Sequence, residues 1–273
     1  MEYNLDYFKT SADYILSKID FKPEIALILG SCLGPLAEEI ENPVIIEYKD
    51  IPNFLVSTVH AHAGKLILGK LNGKKIVCMS GRFHYYEGYD FEQLVIPIRV
   101  FHLLGVKTVI LTNAAGATNT TYQPGDIMVI KDHIKVMGAS PLRGPNVEEF
   151  GPRFFDISRA YTPEHRVLAK KVAKKLNMKL HEGVYFFWMG PQFESPAEVR
   201  LIQTLGGDAV GMSTVTETIT AAHCGMEVLG LSLITNMGVG LTDTQADPKE
   251  VNIVAAASAE KFKGLVSEII KEI

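Results

Sequence analysis

The sequence predicts an α/β fold: a single domain over residues 1–273, with three layers in which helices flank a mixed, mostly parallel sheet. Two observations lead to this prediction. Several short apolar runs are rich in Val, Ile and Leu, which is typical of strands buried on both faces. Stretches with helical spacing separate several of these runs, and such alternation favours a largely parallel or mixed sheet covered by helices.

The predicted elements follow in order along the chain. Apolar residues from Leu5 to Ile19 recur at helical spacing, which predicts an amphipathic helix near the N-terminus. Strands are expected at residues 24–29, 75–79, 108–111 and 228–234. Helices are expected near residues 35–40, 92–104 and 163–175, and from Glu217 onward. No internal repeat, low-complexity tract or linker interrupts this pattern, so one domain is expected.

Each of the four predicted strands runs into a small, polar or glycine-rich segment. These segments are residues 30–34, 80–84, 112–116 and 235–236. In open α/β sheets, ligands bind beyond the carboxyl ends of the strands. Small residues there allow backbone N–H groups to approach an anion closely. The sequence therefore predicts a small-molecule site at this edge of the sheet.

Composition narrows the class of partner and the compartment. The formal net charge is −4, so the chain lacks the broad basic surface that duplex nucleic acid requires. The three cysteines are far apart and have no CxxC spacing, which argues against a disulfide framework or structural zinc and for a reducing cytoplasm. No leader-like segment or membrane-length apolar run is found. We expect a cytoplasmic protein without membrane or nucleic-acid partners.

The richest candidate segment is Arg82 to Gly88, which follows a predicted buried strand. The planar fork of Arg82 matches phosphate oxygens, and His84 can donate to the same group. Tyr86 is amphipathic and can pack over a sugar. A solvated turn is the structural alternative, but the position after a buried strand favours a functional role.

Two further segments, one rich in glycine and one containing two histidines, allow either a functional or a structural role. Ser31, within residues 30–34, could hold a phosphate at a helix N-terminus or simply cap that helix. The pair His60 and His62 lacks a third metal ligand at suitable spacing, so a metal site is not expected. A phosphate or sugar contact from His62 is favoured over metal binding, with a structural histidine as the alternative.

Three segments further along the chain complete the candidates. The loop of residues 190–196 contains Phe193, which could face a purine ring, and Glu194, which could accept hydrogen bonds from it or lie exposed in a turn. Ser213 could bind phosphate, cap the following helix, or do both. Residues 113–116 are expected to form a loop at a strand end, offering backbone donors or only a tight turn.

Taken in order, eight segments resemble one known family, the trimeric, low-molecular-mass class of purine nucleoside phosphorylases. They are GSCLG, HAHAG, GRFHYYEGY, LTNAAGATN, GDIMVIKDHI, GPQFESPAEVR, DAVGMSTVTE and SLITN. The resemblance implies phosphorolysis of 6-oxopurine ribo- and deoxyribonucleosides to the free base and (deoxy)ribose 1-phosphate, in purine salvage. It also implies no metal or organic cofactor, inorganic phosphate as co-substrate, and a homotrimer in which a neighbouring subunit lends an aromatic to the sugar site.

The resemblance assigns a role to individual residues. The implied phosphate contacts are Ser31, His62, Arg82, Phe83, His84, the backbone N–H of Ala114, and Ser213. Tyr86 and Met212 are implied at the ribose, and Phe193, Glu194 and Asn236 at the purine, with His84, Glu194 and Asn236 as the catalytic group. Asn236 can donate to N7 of the leaving purine and Glu194 can accept from N1–H, so inosine and guanosine are expected to be better substrates than adenosine.

The sequence departs from the family pattern at two places. Cys32 replaces the middle glycine common in the first loop. Pro248 stands where the family usually has a histidine that reads the ribose 5′-hydroxyl, so weaker discrimination at that position is expected.

The alternatives to this function are a methylthioadenosine-type phosphorylase, a phosphate-independent nucleoside hydrolase and a nucleoside-binding protein without turnover. A nicotinamide-dependent dehydrogenase is disfavoured because the G-x-G-x-x-G pattern is missing from the first strand–helix turn.

Overall fold

The computed structural model describes residues 3–30, 34–58, 64–243 and 247–273. The helices are α1 (Leu5–Leu16), α2 (Ile96–Leu104), α3 (Pro163–Lys175), α4 (Pro196–Thr204), α5 (Val215–His223) and α6 (Pro248–Glu272). The strands are β1 (Ile25–Leu29), β2 (Glu41–Glu47), β3 (Lys65–Leu71), β4 (Lys74–Ser80), β5 (Thr108–Ala117), β6 (Ile127–Ile134), β7 (Leu180–Phe187), β8 (Ala209–Gly211) and β9 (Glu227–Met237). Short 3-10 helices occupy Gly34–Glu39, Tyr48–Asp50, Tyr85–Glu87 and Glu148–Phe150.

The strands form one mixed sheet in the order β2-β3-β4-β1-β5-β8-β7-β6-β9, and β9 also pairs with β5. Strands β5, β8, β7, β6 and β9 therefore close into a ring, and the remaining strands extend from β5 as an open sheet. Within the described residues, five of the nine strand pairings are parallel. The predicted α/β class with a mixed, mostly parallel sheet is confirmed.

Helices cover both faces of this sheet. Alternate residues of β1 point to opposite sides: Ala26 and Ile28 join a core with α1, α2 and α5, while Ile25, Leu27 and Leu29 join a second core with α3 and α6. The three-layer arrangement follows from this, because a strand that is apolar on both faces must be covered on both. None of the helices in the described residues is long and apolar enough to cross a membrane.

Most predicted elements lie where they were expected, but three boundaries or types were wrong. The segment near residues 35–40 is a 3-10 helix over Gly34–Glu39 rather than an α-helix. Residues 113–116 belong to β5 rather than to a loop, and residues 235–236 belong to β9.

The reason for the two longer strands is their mutual pairing. β5 and β9 run parallel from Thr108 and Glu227 to Ala117 and Met237, with one irregularity after Ala115. Small and polar residues end an apolar run in the sequence, but they do not end a strand whose hydrogen-bonding partner continues beside it.

Candidate active site

A cavity of about 350 Å³ opens beyond the carboxyl ends of β1 and β4 and along the last residues of β5 and β9. It brings together nine of the residues that the sequence predicted for the site. They are Arg82, His84, Tyr86, Ala114, Phe193, Glu194, Met212, Ser213 and Asn236. The cavity lies at the predicted edge of the sheet, and residues more than a hundred positions apart in the chain meet there.

One predicted residue, Phe83, does not line this cavity, and two others cannot be compared with it because they lie outside the described residues. Phe83 is 5% exposed, and its ring packs on Tyr48 and Phe54 in the core. Any contact of Phe83 with phosphate must therefore come from its backbone. Ser31 and His62 lie outside the described residues, as do Cys32 and His60.

Arg82 follows the end of β4 and is almost fully buried, at 1% exposed. Its Nη1 donates to Ser213 Oγ at 2.8 Å and to Thr214 Oγ1 at 3.1 Å. Its Nε lies 3.2 Å from Oε1 of Glu217, a buried ion pair. Three residues from the β8–α5 turn and the first turn of α5 thus fix the guanidinium. The possibility of a solvated turn at Arg82 is excluded.

The turn that holds Arg82 contains an uncommon backbone conformation. Thr214 has φ 73°, ψ −44°, in the left-handed half of conformational space, where a β-branched residue is rare. Its Oγ1 also accepts from Asn113 Nδ2 at 2.9 Å, and its carbonyl accepts from Thr218 Oγ1 at 2.9 Å. Such strain persists where surrounding bonds over-determine the conformation, and it clusters at functional sites. Ser213 does not cap α5, since the N-cap position is Thr214.

His84 is held by a carboxylate three residues further on. Glu87 Oε1 accepts from the His84 backbone N–H at 2.8 Å and lies 3.0 Å from Nδ1 of the ring. Thr58 donates to the other oxygen of Glu87 through its backbone N–H and its hydroxyl. Burial by itself would raise the pKa of Glu87, but these hydrogen bonds outweigh it and bring the pKa to about 2. The ionised Glu87 orients the imidazole with Nδ1 as donor, which directs Nε2 away from Glu87.

The aromatic and thioether residues form the wall between the two ends of the cavity. The rings of Tyr86 and His84 stack with centroids 4.6 Å apart. Burial raises the pKa of Tyr86 to about 12, so its hydroxyl is protonated at neutral pH. Met212 and Phe193 are half-buried along the same cavity. This wall is apolar enough to pack against a sugar and a base.

Glu194 occupies the other end of the cavity and is 5% exposed. Burial raises its pKa, and no described basic side chain forms an ion pair with it. The neighbouring Ser195 caps α4: Glu198 N donates to Ser195 Oγ, and Ser195 N donates to Glu198 Oε2 at 2.7 Å. This cap fixes the backbone beside Glu194, so the carboxylate is an acceptor held in an apolar cavity rather than an exposed turn residue.

Asn236, next to the last residue of strand β9, has a fixed amide orientation. Thr235 Oγ1 donates to Asn236 Oδ1 at 3.0 Å, and Asn236 Nδ2 donates to the Met237 carbonyl at 3.1 Å. The Nδ2 group carries two hydrogens, so a second donor remains for another partner. The amide can therefore donate one hydrogen bond to a group in the cavity.

Sequence reasoning missed several residues that shape this site. Thr214 and Glu217 lie beside the predicted Ser213 in sequence, but only the fold reveals that they bind Arg82. Glu87 could have been found from the sequence, because a carboxylate three residues after a histidine can reach back to that histidine in a turn. Thr235 and Asn252 also line the cavity, and no local pattern marks either of them.

Among the residues that the structure describes, no group of three or more His, Cys, Asp or Glu side chains is arranged to hold a metal ion. The absence of a cofactor stays a prediction.

Comparison with known proteins shows the family to which this chain belongs. A model of the phosphorylase superfamily matches residues 24–271. Purine nucleoside phosphorylase 1 of Bacillus subtilis (strain 168) is 49% identical over 267 residues, which is 98% of both chains. Purine nucleoside phosphorylase of Mus musculus is 45% identical over 279 residues, covering 100% of this chain and 96% of the relative.

Solved structures agree with these relatives. The chain matches the Schistosoma mansoni purine nucleoside phosphorylase in complex with inosine with a TM-score of 0.95, at 40% identity, covering 100% of this chain and 98% of the other. A Schistosoma mansoni complex with adenosine also matches with a TM-score of 0.95 and 40% identity, covering 100% of this chain and 99% of the other.

The fold and the site define a nucleoside phosphorylase-type α/β protein. The chain belongs to the phosphorylase superfamily and, within it, to the purine nucleoside phosphorylases. The resemblance drawn from the eight sequence segments is confirmed.

Proposed function

We propose that this protein cleaves 6-oxopurine ribo- and deoxyribonucleosides with inorganic phosphate, giving the free base and (deoxy)ribose 1-phosphate in cytoplasmic purine salvage. One observation carries the proposal: a buried arginine and a histidine, both oriented by carboxylates, share one cavity with a buried carboxylate and an oriented amide. The first pair suits an oxyanion, and the second pair suits a purine edge.

At the phosphate end, Arg82, His84, Ser213 and the backbone N–H of Ala114 are the proposed ligands of phosphate. Phosphate held below the sugar stabilises the positive charge that develops on the ribose during glycosyl transfer, and then attacks the anomeric carbon. Because Arg82 and His84 are fixed before the reaction, little reorganisation is needed as charge develops.

At the purine end, Asn236 and Glu194 are the proposed catalytic contacts. The leaving purine gains negative charge, which an Nδ2–H of Asn236 stabilises at N7. Glu194 accepts from N1–H of a 6-oxopurine. Adenine has a lone pair at N1, so Glu194 acting as an acceptor would face another acceptor. We therefore propose inosine and guanosine as the preferred substrates.

The ribose 5′ position is the point where this chain departs from its family. Pro248 lines the cavity as the first residue of α6, and Asn252 lines it one turn later on the same face. We expect discrimination at this position to be weak. Comparing kcat/KM for inosine and 5′-deoxyinosine tests this, and a ratio below about fivefold is expected, since one uncharged hydrogen bond, worth about 1 kcal/mol, corresponds to about fivefold. A large penalty that Asn252→Ala abolishes would show instead that Asn252 reads the hydroxyl.

We propose a homotrimer in which a neighbouring subunit contributes an aromatic side chain. Phe154 is the candidate, because it is aromatic and, at 89%, the most exposed of the large hydrophobic side chains that the structure describes.

The decisive experiment follows hypoxanthine release from inosine with and without phosphate. Phosphate-dependent release supports the proposal, and phosphate-independent release would indicate a hydrolase. Arg82→Lys keeps the charge beside Glu217 but removes the planar fork. We expect it to raise the KM for phosphate about tenfold or more while the KM for inosine changes little. Arg82→Ala is expected to show the same asymmetry, and the reverse asymmetry would remove Arg82 from the phosphate site.

A further inference from the structure

A second cavity, of about 490 Å³, lies away from the candidate active site and shares none of its lining residues. Its walls come from Tyr3 and Asn4 just before α1, from α2 with its preceding turn, and from the loop of residues 141–147. That loop is held in place from outside: Arg153 Nη1 donates to the Leu142 and Gly144 carbonyls, and Asn146 Nδ2 donates to the Gly151 carbonyl. The cavity is thus formed by bonded walls.

Arg99 of α2 lines this cavity and is 6% exposed. Its Nε is buried and has no hydrogen-bond partner, and within the described residues no carboxylate forms an ion pair with the guanidinium. Its Cζ lies 5.0 Å from the ring centroid of Phe8 and 5.1 Å from that of Phe150. The ring faces attract the positive charge, but they offer no acceptor for the five N–H donors of the guanidinium.

A charged group in this setting is normally paired. A buried charge without a partner is costly, and an arginine cannot escape the cost by losing its proton. The cavity contains a second arginine, Arg143, whose side chain is exposed. Glu92 is the carboxylate of the lining, and Val95 and Leu142 give the walls an apolar part. Two arginines beside an apolar wall suit an anionic group attached to an organic body.

We propose that this cavity is a binding site for a small organic oxyanion, a phosphate monoester or a carboxylate, whose oxygens pair with Arg99 and Arg143. The planar fork of Arg99 matches two oxygens of either group. Glu92 faces the same space and accepts a hydroxyl of the ligand. The site is independent of the phosphorolysis proposed above, because it uses neither Arg82 nor His84.

The test measures binding of two probes, glucose 6-phosphate and citrate, by calorimetry on the full chain. Arg99→Met removes the charge and keeps a flexible apolar side chain between the two phenylalanine rings. Arg159→Met is the matched control, since Arg159 is an exposed arginine that pairs with the exposed Glu164 and does not line this cavity. Arg82→Lys serves as the control for binding in the active site.

We expect at least one probe to bind the wild-type protein, and Arg99→Met to weaken that binding about tenfold or more while both controls bind normally. The probe that binds distinguishes a phosphate ester from a carboxylate. The probe should also raise the melting temperature of the wild-type protein and leave that of Arg99→Met unchanged. If Arg99→Met does not fold, Arg143→Met, at an exposed position, is expected to weaken binding in its place.

Three results would overturn the proposal. They are failure of both probes to bind, binding that Arg82→Lys abolishes and Arg99→Met does not, and a carboxylate of a second copy of this chain seated on Arg99 in the assembled protein.

Discussion

At the residue scale, Arg82 and His84 of the proposed phosphate site are each paired with a carboxylate. Glu217 lies against Arg82, and Glu87 lies against His84. Each carboxylate is buried, so each pair is screened from water and keeps its geometry. For the proposed phosphorolysis the consequence is orientation, because donors that are fixed in advance stabilise developing charge without the cost of reorganising.

Thr214 tests this view of the phosphate end. Thr214→Val keeps the branched shape at φ 73° but removes the oxygen that accepts from Arg82 and Asn113. We expect the KM for phosphate to rise about tenfold, and the free energy of unfolding to fall by about 1–3 kcal/mol, because a buried donor loses its acceptor. Steady-state kinetics with each substrate varied in turn, and urea unfolding, measure the two effects.

Thr220→Val is the control for this prediction. Thr220 is also fully buried in α5, and its hydroxyl donates to the Thr216 carbonyl rather than contacting Arg82. It should lower stability without a selective change in the KM for phosphate. Equal kinetic effects in the two variants would show that Thr214 acts only through general stability.

Glu87 gives a prediction about pH. Its pKa in the folded chain is about 2, below the ordinary value of 4.5, since the hydrogen bonds from His84 and Thr58 outweigh its burial. The ionised carboxylate therefore stabilises the fold, fully above about pH 4.5 and progressively less as the pH falls toward 2. Glu87→Gln should lower stability at neutral pH and flatten the loss of stability between about pH 5 and pH 3. Urea unfolding across that range measures it, and an unchanged slope would contradict the assignment.

At the element scale, the site depends on how closely strands β1 and β5 approach each other. Gly30, just after β1, donates its N–H to Thr112 Oγ1 at 3.1 Å. A Cβ on Gly30 would lie 2.7 Å from the Thr112 carbonyl oxygen and 2.9 Å from Asn113 Cα. Both are backbone atoms of β5, which cannot turn aside as a side chain could.

Gly30→Ala should therefore displace the end of β1 from β5. We expect stability to fall by about 1–3 kcal/mol, as for other overpacked sites, and phosphorolysis to fall as well because the cavity is lined by both strand ends. Gly264→Ala is the control, since no atom lies within 4 Å of its added Cβ on the exposed face of α6. It should stabilise the protein by about 0.5–1 kcal/mol. Thermal unfolding and activity at a fixed temperature distinguish the two outcomes.

At the scale of the whole molecule, two cores pack on opposite faces of the sheet, and the candidate active site opens at the sheet edge between them. Phe154 lies on the surface of the molecule. If the protein is a trimer and Phe154 enters a neighbour's sugar site, Phe154→Ala should raise the KM for inosine about tenfold and leave the KM for phosphate nearly unchanged, as expected for loss of one buried aromatic contact. Light scattering gives the oligomeric state, and Ile253→Ala, another exposed apolar position at 67%, is the control. A monomer with full activity would contradict both parts.

Much of the candidate site could be predicted because its residues lie in short, recognisable segments of the sequence. Arg82, His84, Glu194 and Asn236 each lie in such a segment, and the structure brings all four into one cavity. The strand ends could not be placed equally well. The composition of residues 112–116 indicates the end of an apolar run, whereas the end of β5 is decided by its pairing with β9.

By itself, the sequence determined the class of fold and the segments that carry the chemistry, since apolar periodicity and residue type are local properties. Only the tertiary structure decided which residues hold them. Glu217 is 135 positions from Arg82 in the numbering and yet lies 3.2 Å from it, and the cavity of Arg99 is closed by Tyr3 and Asn4 before α1 and by the loop of residues 141–147. Pairing of this kind depends on how the layers pack across long sequence separations, and no local pattern in the chain specifies it.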